Sequence, residues 1–281
     1  MRYGICPLSV IPVRSNSSDT SEMVSQLLFG ETVEILEKKG SWTKVRCIWD
    51  NYIGWTDTKQ IKLITPAEFD QYQEKFAYTL EMLQGAMTNG HYIPVTIGAT
   101  LPNYDGVNFS MNGNSYTYSG QAVFPADIEP NAELLIKIAR RYLYAPYLWG
   151  GRSPLGIDCS GFTQVVFKIM GIKLPRDSKD QAGKGELIDF VEQGQAGDLA
   201  FFENRKGKIT HVGILLEDRK IIHASGQVRI DKIDHFGIFN EETKKYTHKL
   251  RIVKRVLPLQ PIAPKKVEED ENEVSNQIEI F

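Results

Sequence analysis

The sequence predicts an α+β protein in which two small β-barrels precede a domain of helices packed on an antiparallel sheet. Two observations lead to this prediction. Residues 1–124 contain mainly short runs of β-branched residues separated by glycines, and that spacing is typical of small barrels. The second half begins instead with two helical patterns that a series of strands follows, which favours an α+β domain.

Length and composition narrow the class of protein further. The chain has 281 residues, of which 42% are hydrophobic and 24% are charged, so it can bury several cores. This composition excludes a wholly disordered chain, a collagen and a disulfide-dense miniprotein. A net charge of −2 argues against a nucleic-acid partner. No apolar run reaches the length of a transmembrane helix, so we expect no membrane partner either.

Changes in pattern along the chain give the expected domains. They are a first barrel at 1–64, a second, degenerate barrel at 65–124, a helix-and-sheet domain at 131–258 and an acidic tail, predicted to be disordered, at 259–281. Thr65 begins a capping box for a helix whose apolar period continues to Leu83, as an insertion in the second barrel. Asn112-Gly113 predicts a β-hairpin.

The domain at 131–258 contains the residues with catalytic potential. Helices are predicted at Glu133–Tyr144 and Cys159–Met170, and the strands that follow are predicted at Asp198–Phe202, Thr210–Glu217, Lys220–Ala224 and Leu250–Val256. Cys159 therefore opens a helix, where the helix dipole favours a thiolate. A hairpin would bring His211 and His223 together, with His211 beside the thiol and His223 holding its ring. A nucleophile, a base and an orienting third group form an acyl-transfer constellation, although another polar group could take the third position.

Ordered motifs identify a family resemblance. The motifs of the third domain are Tyr147-x-Trp149-Gly150-Gly151, Asp158-Cys159-Ser160-Gly161, Pro175-Arg176-Asp177-Ser178 and His211-Val212-Gly213. Together they resemble the NlpC family of papain-like cell-wall cysteine peptidases. The first 64 residues resemble a bacterial SH3-like domain through the segments at 13–14, 31–36, 42–46 and 52–55. With these units in front, the chain is similar to the γ-D-glutamyl-L-diamino acid endopeptidases of murein-peptide recycling.

The resemblance implies a function and a set of site residues. It implies a cysteine peptidase that cleaves the bond between γ-D-glutamate and lysine or diaminopimelate in free murein peptides beginning with L-alanine, without a metal or organic cofactor. Its implied catalytic residues are the nucleophile Cys159, the base His211, the third residue His223 and, near the oxyanion, Tyr147. Its implied substrate-binding residues are Asp158, which would hold the alanine amine, the pocket residues Trp149, Ser160 and Ser178, and the first-barrel residues Glu22 and Tyr52.

Several of these residues also have an ordinary structural interpretation. Asp158 could simply cap the helix that Cys159 opens, and Glu22 could be a solvated charge. Tyr52 could belong to the barrel core. Cys6 and Cys47 lack a catalytic setting and are expected in the core or at the surface. The histidines without a surrounding motif are expected at the surface, and they are His91, His235 and His248.

Other functions remain open at this point. Cys159, His211 and His223 are acceptable zinc ligands in type, although no close ligand pair accompanies them. A cell-wall-binding module with an inactive peptidase domain and a thiol acyltransferase of related fold are further alternatives. The N-terminus lacks a signal-peptide pattern, so we expect a cytoplasmic protein, or an exported one if a signal was removed. The sequence leaves the oligomeric state and the choice between lysine and diaminopimelate open.

Overall fold

The computed structural model describes residues 1–258, so the predicted tail at 259–281 lies outside the described residues. Antiparallel sheets dominate the described chain, together with four short α-helices and brief 3-10 turns. This is the predicted α+β class, with the helices concentrated in the C-terminal domain. No helix within residues 1–258 combines the length and apolarity needed to cross a membrane.

The first barrel is a seven-stranded sheet in the order β3-β2-β6-β5-β4-β1-β7. Its strands are β1 (Arg2–Ile5), β2 (Val10–Arg14), β3 (Met23–Leu28), β4 (Thr32–Lys39), β5 (Trp42–Cys47), β6 (Ile53–Asp57) and β7 (Lys62–Ile64). Alternating side chains point inward, and Ile11, Val13 and Val45 form its small core together with Cys6 and Cys47.

The second barrel consists of one helix and two small sheets. Its elements are α1 (Pro66–Glu74), β8 (Phe76–Thr79), β9 (Leu83–Thr88), β10 (His91–Thr96), β11 (Thr100–Pro102), β12 (Asn108–Met111), β13 (Asn114–Tyr118) and β14 (Ala122–Val123). The sheets have the orders β10-β9-β13-β12 and β11-β8-β14. The Thr65–Glu68 capping box forms as predicted. Asn112 and Gly113 both have positive φ, as the two-residue turn of a hairpin requires.

The prediction of a helix as far as Leu83 was wrong. Helix α1 ends at Glu74, and Phe76–Thr79 forms strand β8. Strand β8 is hydrogen-bonded on both sides, by β11 and by β14, so its backbone groups are satisfied by the sheet. Aromatic residues at 69, 72 and 76 produced the helical period, but tertiary pairing decides the conformation of the last of them.

The C-terminal domain packs a helix against a seven-stranded antiparallel sheet. Its helices are α2 (Ala132–Arg141), α3 (Cys159–Ile169) and α4 (Ser178–Gln181). Its strands are β15 (Arg152–Ser153), β16 (Gly156–Ile157), β17 (Glu186–Ile188), β18 (Leu199–Glu203), β19 (Ile209–Leu216), β20 (Lys220–Ser225), β21 (Gln227–Asp234), β22 (Gly237–Asn240) and β23 (Lys245–Arg255). The large sheet has the order β17-β23-β18-β19-β20-β21-β22, and a further pairing of β23 with β22 closes it. The strands of this domain that were not predicted are β15, β16, β17, β21 and β22.

Helix α3 lies at the centre of the molecule. Every residue of the helix is buried. One continuous apolar core contains Phe29 of the first barrel, Val95 of the second, Phe162 of α3 and Val212 of the sheet. Gly98 permits the close approach of the second barrel, because a Cβ there would lie 2.5 Å from Val165 Cγ1. The three domains therefore share a core.

A buried ionic cluster, formed by Glu31, Arg152 and Lys168, joins the same three domains. Glu31 of the first barrel accepts hydrogen bonds from Arg152 at 2.7 and 2.9 Å and from Lys168 Nζ at 2.6 Å. Lys168 Nζ also donates to the Gly98 carbonyl oxygen of the second barrel at 2.9 Å. Each of the three charged residues is at most 5% exposed. Buried charges at such a junction position the domains, because separating them would leave a charge unpaired.

Candidate active site

Cys159 occupies the first position of helix α3, and two nearby glycines allow close packing around it. Gly150 has φ +78° and lies so close to the first barrel that a Cβ would be 2.3 Å from the Met23 carbonyl oxygen. Gly161 packs against the Gly151 carbonyl oxygen, and a Cβ added at Gly161 would lie only 2.2 Å from that oxygen. Larger side chains would push the loop and the first barrel away from the helix start. Gly150 and Gly161 therefore allow the first barrel, the preceding loop and the start of α3 to meet near Cys159.

Asp158 caps the helix and also pairs with a buried arginine. Its carboxylate accepts from the backbone N–H of Gly161 at 2.7 Å and of Gly150 at 2.8 Å. Arg176 donates to both carboxylate oxygens, at 3.0 and 2.5 Å, and the side chains of both residues are nearly inaccessible. Arg176 belongs to a motif that the sequence showed, but its pairing with Asp158 was not predicted. The negative charge of Asp158 is already balanced before any substrate amine arrives.

A chain of hydrogen-bonded side chains runs away from His211 across three adjacent strands. His211 on β19 and His223 on β20 are joined by a 2.9 Å contact between Nε2 and Nδ1. His223 Nε2 lies 3.0 Å from Asp231 Oδ2 on β21, and Arg229 donates twice to the same carboxylate. The structure thus places His223 where the sequence expected the orienting group and adds Asp231 behind it.

The chemistry of Asp231 determines which ring nitrogens carry protons. An ionised carboxylate only accepts, so His223 Nε2 donates to Asp231 and His223 Nδ1 is left as an acceptor. His211 Nε2 then donates to that acceptor. The remaining nitrogen of His211, Nδ1, keeps its lone pair and can take a proton. The chain therefore selects the tautomer in which His211 is a base.

His248 is part of this site, and its expected position at the surface was wrong. Its ring stacks on the His211 ring with a centroid distance of 4.0 Å and an interplanar angle of 24°. Burial lowers the pKa of His248 to about 4, with a further contribution from His223. Burial, followed by the neighbouring His248 and His223, holds the pKa of His211 well below its usual value. The sheet closure between β22 and β23 brings His248 here, and no local motif indicates it.

The thiol of Cys159 is buried. The backbone N–H of Val212, the residue after His211, and that of Ser160 both stabilise the thiolate, but burial outweighs them and raises the pKa of Cys159 to about 12. The negative charge of Asp158 acts in the same direction. The helix start favours the thiolate, as expected, but burial outweighs this effect and keeps the thiol protonated. The thiol must therefore give up its proton as it attacks.

Tyr147 supplies a hydroxyl near the thiol. Burial raises its pKa to about 12, and the neighbouring Cys159 and Asp158 add to the effect. The phenol is thus a protonated donor at neutral pH. Its backbone N–H donates to the Gly226 carbonyl oxygen at 2.9 Å, which fixes the segment against the end of strand β20. This arrangement suits a donor to an oxyanion.

Two residues of the first barrel approach the segments around the helix start. Trp149 Nε1 donates to Glu22 Oε1 at 2.7 Å, which links the loop before Cys159 to the first barrel. Burial raises the pKa of Tyr52 to about 12, and the charges of Asp177, Arg176 and Glu22 act on it. Tyr52 therefore lies near these groups while also packing on the barrel core. The structure therefore brings both predicted first-barrel residues towards the helix start.

The two predicted pocket serines lie at the starts of neighbouring helices. Ser160 Oγ accepts from Arg176 Nη1 at 2.9 Å. Ser178 is buried and begins α4, which is tied to α3 because Gln181 donates to the Ser160 carbonyl oxygen at 2.9 Å. Cys6 and Cys47 are free thiols buried in the first-barrel core.

Comparisons with known proteins identify the families of two segments of the chain. Residues 144–249 match the NlpC/P60 family, and residues 13–61 match the bacterial dipeptidyl-peptidase Sh3 domain. A NlpC/P60 family protein from Bacillus cereus has a crystal structure that matches with a TM-score of 0.78 and 25% identity, covering 91% of this chain and 100% of that one. An NlpC/P60 endopeptidase from Photobacterium damselae shares the fold at 17% identity, with a TM-score of 0.69, over 89% of this chain and 70% of that one.

Two relatives match most of the chain in sequence. The gamma-D-glutamyl-L-lysine dipeptidyl-peptidase of Bacillus cereus is 32% identical, over 74% of this chain and 68% of that protein. The protein of the same name from Bacillus subtilis is 32% identical, over 79% of this chain and 75% of that protein. These matches confirm the resemblance found in the motifs. At this identity and coverage, the chain belongs to the NlpC/P60 family and is a cysteine-type peptidase.

Proposed function

We propose that this peptidase hydrolyses the amide bond between γ-D-glutamate and an L-diamino acid in short murein peptides that begin with a free L-alanine. The observation that carries the proposal is the contact by which Glu22 of the first barrel reaches Trp149 in the loop before the Cys159 helix. The first barrel at this place would leave room only for a substrate with a short segment on the acyl side of the cleaved bond. The names of the two Bacillus relatives support the γ-D-glutamyl bond and the diamino acid.

The first half of the reaction forms a thioester. His211 Nδ1 takes the thiol proton as Cys159 Sγ attacks the γ-carbonyl carbon. The Cys159 N–H has no partner inside its helix, and with the Tyr147 hydroxyl it would stabilise the oxyanion. The tetrahedral intermediate collapses, the carbon–nitrogen bond breaks, and protonated His211 gives its proton to the leaving amine of the diamino acid.

The second half releases the acyl product. His211 removes a proton from water, and the hydroxide attacks the thioester carbon. The carbon–sulfur bond then breaks, the proton returns to Cys159, and L-Ala-γ-D-Glu leaves. The Asp231 carboxylate keeps His223 in the tautomer that accepts from His211 throughout, so the base returns to the same orientation.

Charge balance in the cleft supports selection of a free amine. Asp158 is neutralised by Arg176, whereas Glu22 has a neutral partner, the Trp149 indole, and no ion-pair partner within residues 1–258. An alanine ammonium would supply the missing charge, with the Tyr52 hydroxyl as a further acceptor. We therefore assign the main electrostatic role in binding the ammonium to Glu22, in place of Asp158. An alanine amide-linked to muramic acid lacks the ammonium, so intact peptidoglycan would be a poor substrate.

Mass spectrometry of defined peptides tests the proposal. We expect L-Ala-γ-D-Glu-L-Lys, or its diaminopimelate analogue, to yield L-Ala-γ-D-Glu, and the N-acetylated peptides to remain uncut. Cys159→Ala should abolish the product, whereas Cys47→Ala, a buried thiol of the first barrel, should retain it.

Each other outcome has a definite meaning. Equal cleavage of acetylated and free peptides would contradict selection by the amine. A folded protein that cuts neither peptide would favour the interaction module. Transfer of the acyl group to an added amine, in place of water, would favour the acyltransferase.

We also propose that the enzyme acts in the cytoplasm on imported wall fragments, in murein-peptide recycling. Three free cysteines suit a reducing compartment. Fractionation of the native host, with immunodetection of the chain, tests this. A processed and exported protein would contradict it and would indicate a wall hydrolase instead.

A further inference from the structure

Three histidine rings from three strands meet behind the thiol. His211, His223 and His248, here called the three-histidine cluster, each offer a ring nitrogen, and these nitrogens all lie within 4.8 Å of one another. His211 and His223 are buried and His248 is partly buried. The peptidase reaction uses the first two as base and orienting group. It gives no reason for a third imidazole at this distance.

The spacing of the rings is close to that of a tetrahedral metal site. Zinc–nitrogen bonds of about 2.0–2.1 Å place two ligand nitrogens about 3.3 Å apart. His211 Nε2 and His223 Nδ1 are 2.9 Å apart, and the two rings are nearly perpendicular at 88°. These two rings need to separate only slightly to admit an ion. His248, at the accessible edge of the cluster, would rotate from its stack on His211 to give the third ligand.

The groups behind the rings also match a metal site. Metal-bound imidazoles usually donate their other N–H to a carboxylate or another oxygen, which fixes the ring. His223 Nε2 faces Asp231 at 3.0 Å, and Arg229 holds that carboxylate in place. His248 Nδ1 contacts Thr247 Oγ1 at 2.9 Å. Two of the three rings thus already have the outer partner that a metal ligand needs.

We propose that the three-histidine cluster binds Zn²⁺ and that the bound ion reversibly switches the peptidase off. Zn²⁺ binds His211 Nε2 and His223 Nδ1, and the proton that lay on His211 Nε2 moves to Nδ1 of the same ring, so the imidazole stays neutral. His211 Nδ1 then carries a proton and has no free lone pair, so it no longer accepts the thiol proton. This role is distinct from zinc catalysis, because the ion occupies the base that the reaction needs. Imidazole donors suit Zn²⁺, and Co²⁺ is a spectroscopic substitute.

Titration calorimetry without substrate tests the site independently of the proposed peptidase activity. The full chain, treated with EDTA and then freed of chelator, should bind one Zn²⁺. His248→Phe retains an aromatic ring but loses the ligand, and it should weaken binding at least about tenfold. His91→Phe removes an exposed histidine of the second barrel and should leave the affinity unchanged. Asp231→Asn should weaken binding by about 10–100-fold.

The Co²⁺ complex keeps the proposal falsifiable if a variant misfolds. The wild-type visible spectrum should show a tetrahedral site of nitrogen ligands, without the thiolate-to-metal charge-transfer band. Cys159→Ala should give the same spectrum. Three results would overturn the proposal. They are an unchanged zinc affinity in folded His248→Phe, a loss of zinc binding in Cys159→Ala, and no zinc binding by the wild type at 100-fold excess of metal.

Discussion

The two barrels in front of the peptidase domain meet it in different ways. The first barrel sends polar side chains across the boundary: Glu31 to the buried ionic cluster and Glu22 to Trp149 in the cleft. The second barrel offers mainly apolar side chains, together with the Gly98 carbonyl oxygen and the carboxylate of Glu81, which accepts a hydrogen bond from Arg141 at 2.8 Å. Both are small β units of similar length, yet only the first takes part in the site. Sequence similarity to a domain type therefore says less about function than the side chains at the boundary.

Breaking the ionic cluster should give the largest effect. Glu31→Ala leaves Arg152 and Lys168 buried without their anion, so we expect a loss of about 3–5 kcal/mol in the free energy of unfolding. Glu34→Ala on the same barrel removes a pair whose arginine is 40% exposed, and it should cost about 1 kcal/mol or less. Urea unfolding measures both. A change below about 1 kcal/mol for Glu31→Ala would show that the cluster does not hold the domains together.

Acid should weaken the same cluster in a defined pH range. Burial raises the pKa of Glu31, but Arg152 and Lys168 lower it more strongly, to about 2 from an ordinary value of 4.5. Because the folded state binds this proton more weakly, the stability from Glu31 is present above pH 4.5 and is lost as the pH falls towards 2. The Tm difference between wild type and Glu31→Gln should therefore shrink over that interval. A constant difference would contradict the pKa shift.

The cleft residue of the first barrel should affect catalysis more than stability. Glu22→Gln removes the carboxylate proposed to hold the substrate ammonium, and we expect kcat/KM for the free tripeptide to fall about tenfold, or about 1.4 kcal/mol. Asp70→Asn, an exposed acid of the second barrel, is the matched control and should leave kcat/KM unchanged. The rate of thiol alkylation should be equal in all three proteins. An unaltered kcat/KM in Glu22→Gln would return this residue to a solvated charge.

The smallest expected effect tests the link between barrel and loop. Trp149→Phe keeps an aromatic ring but deletes the donor to Glu22. We therefore expect transition-state stabilisation to fall by about 0.5–1 kcal/mol, which lowers kcat/KM about two- to fivefold. In a Glu22→Gln background the same substitution should have a smaller effect, because the charged acceptor is already gone. Full additivity of the two changes would show that Trp149 acts independently of Glu22.

Local signals explain which parts of the site could be predicted. Cys159 opens a helix after a cap, and His211 and His223 sit on neighbouring strands, so short motifs and a hairpin were sufficient. Asp231 lies one strand further, and His248 arrives through the closing pair β22–β23. Arg229 and Asp231 are two residues apart on β21, so they lie on the same face of the strand. Their spacing could have indicated a charged face there.

Long-range pairing also explains the errors in the fold. A helical period beyond Glu74 was overridden by the hydrogen bonds that strand β8 receives on both sides. The charge state of the thiol followed the same rule. The helix start favours a thiolate locally, yet the surrounding core raises the pKa of Cys159. In each case, the deciding partner comes from a segment that is distant in sequence.

The ionic cluster at the domain junction has an evolutionary consequence. Arg152 and Lys168 belong to the catalytic domain, but their counterion Glu31 is encoded more than a hundred residues earlier. A gene rearrangement that transferred residues 131–258 to a new N-terminal partner would bring two inward-facing cations and no anion. Such a fusion would need a replacement acid, or apolar substitutions at both cations, before it could be inherited as a stable enzyme. The catalytic domain of this chain is therefore poorly suited to domain shuffling, even though its fold is shared by many separate proteins.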